Sequence, residues 1–505
     1  RLRYVKDYYD AISTHQISLP TPVMAGVRTP QRQFSSCVLI ETDDSLDSIN
    51  ATASSIVKYV SQKAGIGING GRIRALGSPI RNGDAYHTGV VPFYKMFQAA
   101  TRSCSQGGVR NGAATLYYPL WHLEVEDLLV LKNNKGTEDN RVRHMDYGVQ
   151  FNKLMYERLM SGGDITLFSP NDVPGLYDAF FQDQDKFREL YEAAERKTSI
   201  RKKKISATEL FSAFMQERKD TGRIYLQNVD HANEHSSFKT DVAPIKQSNL
   251  CCEIDLPTKA LNDVSYSDPD ALKLVDTWAQ HWSYYLIKAS ADLAVEFGAC
   301  PKNNETKYSD GVLPVDTYKK DVDELVVHVD AVDWTGLRTQ LRETGIRNST
   351  LMALMPAETS AQISNSTNGI EPPRAFVSIK QSKDGVLKQV VPGFARYKNK
   401  YELLWDQKSP EGYIKIMAVM QKYIDQGISV NTSYNPVHYE DEKIPMSVML
   451  QHLLLCYKYG HKQLYYFNTF DGAGEIDIDK MNETQQKEIT IEEPMYEEAC
   501  DSCTI

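Results

Sequence analysis

Helix-forming stretches alternate with short apolar runs along the whole chain, and this alternation constrains the fold most. The stretch that follows Cys37 is a short apolar run typical of a strand, and stretches of helix length lie between such runs. Strands separated by helices usually pair in parallel, because the connection has to cross the sheet. The pattern predicts an α/β architecture, and 505 residues allow one very large domain or several ordinary ones.

Two segments give sharper local predictions. The longest helix candidate lies in "SDPDALKLV", where Asp268 can cap the helix, Pro269 can take its first position and Gly298 can end it. Its predicted buried stripe consists of Leu272, Val275, Trp282, Leu286, Ala289 and Leu293. The stretch "AFVSIKQSKDGVLKQVVP" predicts a hairpin that turns at Asp384 and Gly385.

The net charge of −9 lies in the last part of the chain. Residues 471–505 hold 11 acidic and 2 basic side chains, which predicts a flexible acidic tail after a folded domain of residues 1–470. The basic run Arg196–Lys204 has no interleaved aromatic residues, so we expect a solvated surface and no nucleic-acid binding. No apolar stretch reaches the ~18 residues of a membrane span, and eight scattered cysteines indicate thiols, so we expect a cytoplasmic protein.

The segment "SNLCCEIDLPT" (Ser248–Thr258) contains the most reactive arrangement of side chains. In an extended strand, Asn249, Cys251 and Glu253 share one face, with neighbours about 6.6 Å apart, and Cys252 lies with the aliphatic residues. A thiol between an amide and a carboxylate is typical of a reactive site. A buried structural cysteine explains the same residues, and the strand alone leaves both interpretations open.

Two more segments favour chemistry, each with an ordinary alternative. Pro356, Thr359 and Ser360 stand where a loop enters a helix, so they predict a phosphate site or simply a capped helix. Tyr465 and Tyr466 are adjacent in a short strand, where aromatic pairs usually pack in a core.

Three signals are weaker. Ser36 and Cys37 precede an apolar strand, so small donors and a thiol cluster at its end. The glycine-rich loop "SQGGVRNGAATL" matches neither a Walker nor a Rossmann fingerprint. His231 and His235 have the spacing of a metal pair on a helix, but no third ligand is evident, so we predict no metal site.

Taken together, several stretches resemble the large, catalytic subunit of class I ribonucleotide reductase of the aerobic bacterial and phage type. They are "LPTP", "RQFSSC", "AGIGIN", "SQGGVR", "RVRHMDYGVQ", "SNLC-E", "NSTLMALMP-ETS-QISN-TNGIEPPR" and "LYYFNT", and they run through nearly the whole chain. The resemblance implies a ten-stranded α/β barrel of two five-stranded halves, with a cysteine-bearing loop threaded through its centre. It also implies radical reduction of ribonucleoside diphosphates to deoxyribonucleoside diphosphates for DNA synthesis.

The resemblance assigns roles to four residues near the centre of the barrel. Cys251 matches the thiyl radical that abstracts the ribose 3′ hydrogen. Glu253 matches the base for the 3′-hydroxyl proton, and Asn249 matches the amide that orients the sugar hydroxyls. Cys37 matches one member of the cysteine pair that supplies two electrons.

The resemblance also implies two nucleotide sites. The contacts to the substrate would be Thr21, Ser36, Cys37, Gly65, Asn249, Leu250, Cys251, Cys252, Glu253, Pro356, Ala357, Glu358, Thr359 and Ser360. Asp44, Arg74 and Arg81 match contacts to a dNTP or ATP effector. The loop Gln106–Arg110 matches the element that reports effector identity to the substrate pocket.

Several partners follow from the same resemblance. Tyr465 and Tyr466 match stacked tyrosines that relay a radical from a small subunit, whose metal centre generates it, so no metal or other cofactor is expected in this chain. Cys500 and Cys503 match a tail dithiol that re-reduces the active site and is recharged by thioredoxin or glutaredoxin. A homodimer of large chains is expected.

The sequence departs from the family in two places. The N-terminal region, with the ATP-cone domain of many members, has no match here. After about residue 268 the family continues with a strand that bears the second reducing cysteine, whereas this chain passes directly to the long helix, with no cysteine between Cys252 and Cys300. The alternative function is therefore that of a catalytically incomplete nucleotide-binding and assembly chain.

Overall fold

The computed structural model describes residues 2–14, 16–30, 34, 37–106, 110–251, 266, 269–357, 360–361, 367, 369–382, 385–394 and 398–471. The strands are β1 (Cys37–Glu41), β2 (Gly65–Asn69), β3 (Pro79–Ile80), β4 (Ala85–Tyr86), β5 (Ser105–Gln106), β6 (Arg110–Asn111), β7 (Ala114–Pro119), β8 (Asp146–Phe151), β9 (Asp164–Phe168), β10 (Lys202–Ser206), β11 (Ile224–Asn228), β12 (Val377–Ser382), β13 (Gly385–Val390), β14 (Thr432–Tyr434), β15 (Gln463–Leu464) and β16 (Phe467–Thr469). The helices are α1 (Leu2–Ser13), α2 (Thr21–Gly26), α3 (Leu46–Ser61), α4 (Val91–Arg102), α5 (Val125–Leu129), α6 (Lys153–Met160), α7 (Leu176–Gln182), α8 (Gln184–Arg196), α9 (Ala207–Thr221), α10 (Val229–Glu234), α11 (Pro269–Phe297), α12 (Pro314–Thr317), α13 (Trp334–Thr344), α14 (Glu411–Gln421) and α15 (Met446–Lys458).

A six-stranded sheet forms the centre of the fold, in the order β1-β2-β7-β8-β11-β15. The first five strands run parallel in chain order, and β15 pairs antiparallel with β11 at the edge. Every residue of β7, β8 and β11 is buried, as expected for parallel strands that are covered on both faces. These five parallel strands correspond to one half of the predicted barrel.

Helix α3 illustrates how the connections cover the sheet. The Ser45 side chain caps its first turn by accepting a hydrogen bond from the Ser48 amide. Ile49, Ile56 and Val60 recur at helical spacing on its buried side, and the helix packs against β1, β2 and α4. With its apolar side, helix α3 thus covers β1 and β2 and fixes the direction in which the chain returns to the sheet.

The second half of the barrel consists of short pieces. β14 and β16 pair in parallel over three residues each, and Leu354 forms one parallel bridge with Ile428. Within the described ranges these pieces form sheets of their own, and the six-stranded sheet does not close into a ring. The prediction of an α/β barrel that is incomplete in this chain is therefore confirmed.

Helix α11 begins and ends as predicted, but its buried face differs from the predicted stripe. The helix begins at Pro269 and is followed by Gly298, whose φ of 79° favours glycine. Trp282, Leu286 and Ala289 are exposed, so the prediction is wrong for them. The buried apolar residues are Ala271, Val275, Ala279, Ile287, Ala291 and Ala294. Small side chains form this face because they allow α11 to approach α13 and α14 closely.

The predicted hairpin is present as β12 and β13. Ser382 lies opposite Gly385, so Gly385 begins the second strand, whereas the prediction placed it in the turn. Residues 383–384 lie outside the described part of the chain. None of the helices in the described part is long and apolar enough to cross a membrane.

Candidate active site

The segment Gln247–Cys251 crosses the six-stranded sheet as irregular backbone. Two β7 side chains hold it, since the Thr115 hydroxyl donates to the Leu250 carbonyl at 2.8 Å and the Tyr117 hydroxyl donates to the Asn249 carbonyl at 2.7 Å. The sequence analysis treated this segment as an extended strand, and that assumption is wrong for its described residues. The reason is that its backbone groups bond to side chains of the sheet and not to a neighbouring strand.

Glycines in β2 make room for this segment. A Cβ on Gly67 would lie 2.2 Å from the Ser248 carbonyl oxygen and 2.9 Å from the Asn249 Cα. A Cβ on Gly65 would lie 2.6 Å from Leu250 Cδ2. Gly67 faces backbone, which cannot rotate away, so the close approach of the segment requires glycine at this position.

We expect Gly67→Ala to lower the free energy of unfolding by about 1–3 kcal/mol, because the methyl group forces the backbone at residues 248–249 away from the sheet. Urea denaturation of both proteins measures this difference. Gly163→Ala is the matched control, because its Cβ would have its nearest neighbour at 3.4 Å. Equal effects of the two substitutions would mean that the close contact at Gly67 does not constrain the segment.

Asn249 and Cys37 meet beside β2. Cys37 begins β1 opposite Gly65, and the Asn249 Nδ2 donates to the Cys37 Sγ at 3.1 Å. Asn249 is buried, and Ser248 Oγ donates to its Oδ1 at 3.3 Å. The structure thus brings together the predicted amide and the predicted reducing thiol, which are more than two hundred residues apart in the sequence.

We expect Asn249→Ala to slow alkylation of Cys37 by iodoacetamide about threefold to tenfold at fixed pH. The amide donor stabilises the thiolate, and a hydrogen bond of this kind contributes about 0.5–1.5 kcal/mol. The rate is measured by mass spectrometry of the peptide that contains Cys37, with Cys37→Ser as the blank. An unchanged rate would show that the amide does not act on the thiol in solution.

Tyr465 and Tyr466 extend from Cys251 as a hydrogen-bonded chain. The Tyr465 hydroxyl donates to the Tyr466 hydroxyl at 2.8 Å, and the two ring centroids are 3.8 Å apart. Burial raises the pKa of Tyr465, and the adjacent Cys251 thiol, which hydrogen-bonds with it, raises the pKa further. Tyr465 is 3% exposed, so neutral phenol is its stable form.

A third tyrosine and two charged residues surround the pair. The Tyr225 ring lies 4.6 Å from that of Tyr465, but its hydroxyl donates to Asp146 at 2.9 Å. The Arg223 guanidinium lies 5.1 Å from the Tyr466 ring centroid and 3.4 Å from the same carboxylate. The sequence analysis missed these residues, although Arg223, which directly precedes β11, is two positions from Tyr225 and shares its face by alternation.

A buried arginine fixes the backbone of the tyrosine pair. Arg218 of α9 donates to the Tyr465 carbonyl at 2.6 Å, to the Tyr466 carbonyl at 3.3 Å and to the Ile224 carbonyl at 2.5 Å. Its guanidinium therefore joins β11 to the segment between β15 and β16 that carries the tyrosines, which lie outside the strand expected from the sequence. Nothing in the sequence distinguishes this arginine from a surface residue of an amphipathic helix.

The predicted effector residues lie near β3 and β4. The Arg74 Nε and backbone amide donate to the two Asp44 oxygens at 2.8 and 3.0 Å. Arg81 is exposed and begins the turn between β3 and β4, with a φ of 51°. Residues 107–109 of the predicted reporting loop lie outside the described residues, and β5 and β6 pair antiparallel on either side of them. Asp44 and Arg74 are thus brought together as an ion pair.

The predicted phosphate turn packs near the start of the chain. Ser360 donates from its amide and hydroxyl to the Ala357 carbonyl at 3.0 and 2.6 Å, and the Ser18 hydroxyl donates to the Ser360 carbonyl at 3.3 Å. Pro356 precedes this turn. Thr21, another predicted substrate contact, is the first residue of α2. Ser36, Cys252, Glu253, Asp268, Glu358, Thr359, Cys500 and Cys503 lie outside the described residues.

The two histidines considered as a metal pair bond to different groups. His231 Nδ1 bonds to the His461 carbonyl at 3.2 Å, whereas His235 Nε2 bonds to the Gln421 carbonyl at 2.5 Å. Burial lowers the pKa of His235 strongly, which favours the neutral ring. Among the residues that can be described, no group of three His, Cys, Asp or Glu side chains could hold a metal ion.

Comparison with known proteins gives one consistent result. The model of the ribonucleotide reductase barrel domain matches residues 35–263 and 259–467. The chain is 56% identical over 556 residues to a ribonucleoside-diphosphate reductase subunit alpha of Haemophilus influenzae, covering 95% of this chain and 74% of the relative. The chain is 55% identical to ribonucleoside-diphosphate reductase 1 subunit alpha of Escherichia coli, and the match covers 95% of this chain and 73% of that relative. It is 47% identical to the ribonucleoside-diphosphate reductase subunit alpha of Enterobacteria phage T4, and that match covers 95% of this chain and 74% of the relative.

The matches also locate an internal gap. The aligned length of 556 exceeds the 505 residues of this chain, so the alignment includes positions at which the chain has no residue. The two blocks matched by the family model meet at residues 259–263. Both observations are consistent with the predicted absence of an internal segment, which stays a prediction, as does its position after about residue 268.

Proposed function

The chain belongs to the ribonucleotide reductase family, and from this premise we propose that Cys251, Tyr465 and Tyr466 deliver a radical to the ribose of a ribonucleoside diphosphate. Its activity is that of an oxidoreductase, the ribonucleoside-diphosphate reductase large subunit. The observation that carries the proposal is the chain of hydrogen bonds from the thiol through two adjacent phenols, whose rings are tilted by 37°.

Each transfer along this chain moves one hydrogen atom across one hydrogen bond. Tyr466 loses an electron and a proton to the outside and takes the hydrogen that Tyr465 donates to it. A phenol has a single hydrogen-bond donor, and Tyr465 uses it toward Tyr466. The Cys251 thiol therefore donates its hydrogen to Tyr465. Hydrogen-atom transfer leaves no net charge in this buried region, which avoids the cost of a buried ion.

At the sugar, the Cys251 thiyl radical takes the 3′ hydrogen and later returns it. Glu253 accepts the 3′-hydroxyl proton, and Asn249 orients the hydroxyls. Loss of the 2′-hydroxyl as water requires two electrons from two thiols that become a disulfide; Cys37 would be one of them, and by resemblance the other belongs to the segment that this chain lacks. The contact between Asn249 and Cys37 supports a place for Cys37 in this step.

Binding of the two nucleotides is proposed on family resemblance and local geometry. Thr21, Ser36, Gly65 and the 356–360 turn hold the diphosphate and sugar, together with Leu250 and Cys252. Asp44, Arg74 and Arg81 hold a dNTP or ATP effector, and the arginine side chains supply the positive charge that phosphates require.

The proposed partners follow from the same assignment. The relatives are alpha subunits, which implies a second kind of subunit, and a radical-generating small subunit would supply the oxidising equivalent. Thioredoxin or glutaredoxin would recharge Cys500 and Cys503 in the acidic tail of residues 471–505, which follows the barrel domain of residues 1–470. The working assembly is proposed to be a homodimer of large chains in the cytoplasm.

Cys251→Ser tests the proposal. The parent chain, mixed with the small subunit and a ribonucleoside diphosphate, is expected to consume the radical of the small subunit. The variant is expected to preserve it, because a serine O–H bond is too strong for a tyrosyl radical to break. The electron paramagnetic resonance signal measures how much of the small-subunit radical remains with the parent and with the variant. Equilibrium binding of labelled nucleotide shows that the nucleotide site is intact. Equal radical loss in parent and variant would refute the role of Cys251.

The second candidate function is that of a nucleotide-binding and assembly chain that does not turn over. The observation that favours it is the internal gap, because the family places the second reducing cysteine in the missing segment. The two candidates differ in whether deoxyribonucleoside diphosphate accumulates.

A further inference from the structure

Helix α11 carries an apolar face that the described residues leave open. Trp282, Tyr285, Leu286 and Ala289 follow at helical spacing, and the first three are 40%, 60% and 37% exposed. These four residues form what we name the uncovered α11 face. The alanine-rich side of α11 packs against α13 and α14, so the helix is apolar on two sides. A helix of this kind is typical of one that is buried between two layers.

A neighbouring loop adds further apolar surface at the middle of the helix. Gln280 Nε2 donates to the Val329 carbonyl at 3.0 Å, and its Oε1 accepts from the Ala331 amide at 2.5 Å. Gln280 is buried, so this loop is firmly attached to α11. The Val327 and Val329 side chains nevertheless are largely exposed. This loop therefore carries exposed apolar side chains of its own beside α11.

A cavity lies at the end of α11 that follows the gap. Its volume is about 680 Å³, and its lining includes Tyr266, Leu272, Leu325, Lys408 and Lys415. Leu272 belongs to the first turn of α11, which is the first helix after the break between the two matched blocks. Open space therefore adjoins the point at which the relatives have additional residues.

We propose that the uncovered α11 face binds a separate polypeptide equivalent to the segment that the relatives carry between the two matched blocks. In the relatives that segment lies in sequence between the parts that match the central cysteine segment and α11, so its end is held at the start of α11. The apolar face, the cavity and the fragmentary second barrel half all lie in the part of the chain that follows the gap. Binding of the separate polypeptide does not depend on the proposed function, whereas any return of activity after binding would depend on it.

The experiment uses the whole chain and, as the probe, the residues of the Haemophilus influenzae alpha subunit that lie opposite the gap, expressed as a separate polypeptide. We expect saturable binding with a shift of tryptophan emission to shorter wavelength, because Trp282 loses its contact with water. Trp282→Phe should remove most of the shift without preventing binding, which sedimentation velocity follows independently.

Leu286→Lys places a charge on the face and is expected to weaken binding by at least about tenfold, since a buried leucine and an unpaired charge both oppose association. Met160→Lys is the control, because Met160 is 75% exposed on α6 in the other half of the fold. Absence of binding to the parent chain, or equal binding to Leu286→Lys, would overturn the proposal. So would self-association that Leu286→Lys abolishes, which would assign the face to a second copy of this chain.

The measurement needs no nucleotide, so it separates this proposal from the proposed radical chemistry. Cys251→Ser is expected to bind the polypeptide as tightly as the parent does, because Cys251 packs with the tyrosines and not on α11. Binding without any gain of turnover would uphold the interface and count against the assignment of the chemistry.

Discussion

Given a small subunit, an effector nucleotide and a small dithiol, the 505-residue chain is expected to form no deoxyribonucleoside diphosphate above background. The two-electron step requires two thiols whose Cα atoms come within about 7 Å of each other. Cys37 supplies one, and by resemblance the other belongs to the segment that this chain lacks. The substrate radical formed by Cys251 then decays by loss of the base, so free base and loss of the small-subunit radical are the expected products.

The remaining described thiols are built into other parts of the core. Cys104 and Cys300 pack against the main hydrophobic cluster, and Cys456 is buried within it. Burial raises the pKa of Cys456 to about 12, so its thiolate is scarce at neutral pH. Sustained turnover would show that another thiol, Cys252 or Cys300, has been recruited, and would refute this account of the gap. Liquid chromatography of nucleotides and free base distinguishes the two outcomes.

Short sequence motifs identify the candidate residues at the centre of the proposed site, because these motifs contain residues whose chemistry is rare. Cys251 and the adjacent tyrosines were identified as separate candidates, and the structure joins them through one hydrogen-bonded chain. The contact between Asn249 and Cys37 was not predicted as a contact, since it depends on how the irregular segment crosses β2. Pattern analysis identifies residue types well, but distances across the sheet arise only from tertiary packing.

Two failures have identifiable physical causes. The stripe predicted on α11 contains Trp282 and Leu286, which are genuinely apolar but exposed in this chain. Periodicity cannot distinguish an apolar face that is covered from one that is left open. Arg218 was missed because charge and helical position suggest a surface residue, whereas its guanidinium satisfies three buried carbonyl groups.

We expect Tyr465→Phe and Tyr466→Phe each to reduce consumption of the small-subunit radical to background. The substitution removes only the hydroxyl, so the ring contact and the fold remain, but phenylalanine has no hydrogen atom that a tyrosyl radical can take. Rapid-mix electron paramagnetic resonance measures the rate of radical loss after addition of nucleotide. Sedimentation with the small subunit verifies that assembly is intact.

Tyr225→Phe is the matched control for both substitutions. Its ring is in contact with Tyr465 at 4.6 Å, so its packing environment is the same, but its hydroxyl donates to Asp146 and not to the chain of phenols. We expect this variant to lose about 1 kcal/mol of stability and to retain radical consumption, because only a buried hydrogen bond is lost. If all three variants behaved alike, the cluster would serve packing alone. Loss of radical consumption in Tyr465→Phe and Tyr466→Phe but not in Tyr225→Phe would mean that the hydroxyl chain, and not the aromatic cluster as such, carries the radical to Cys251.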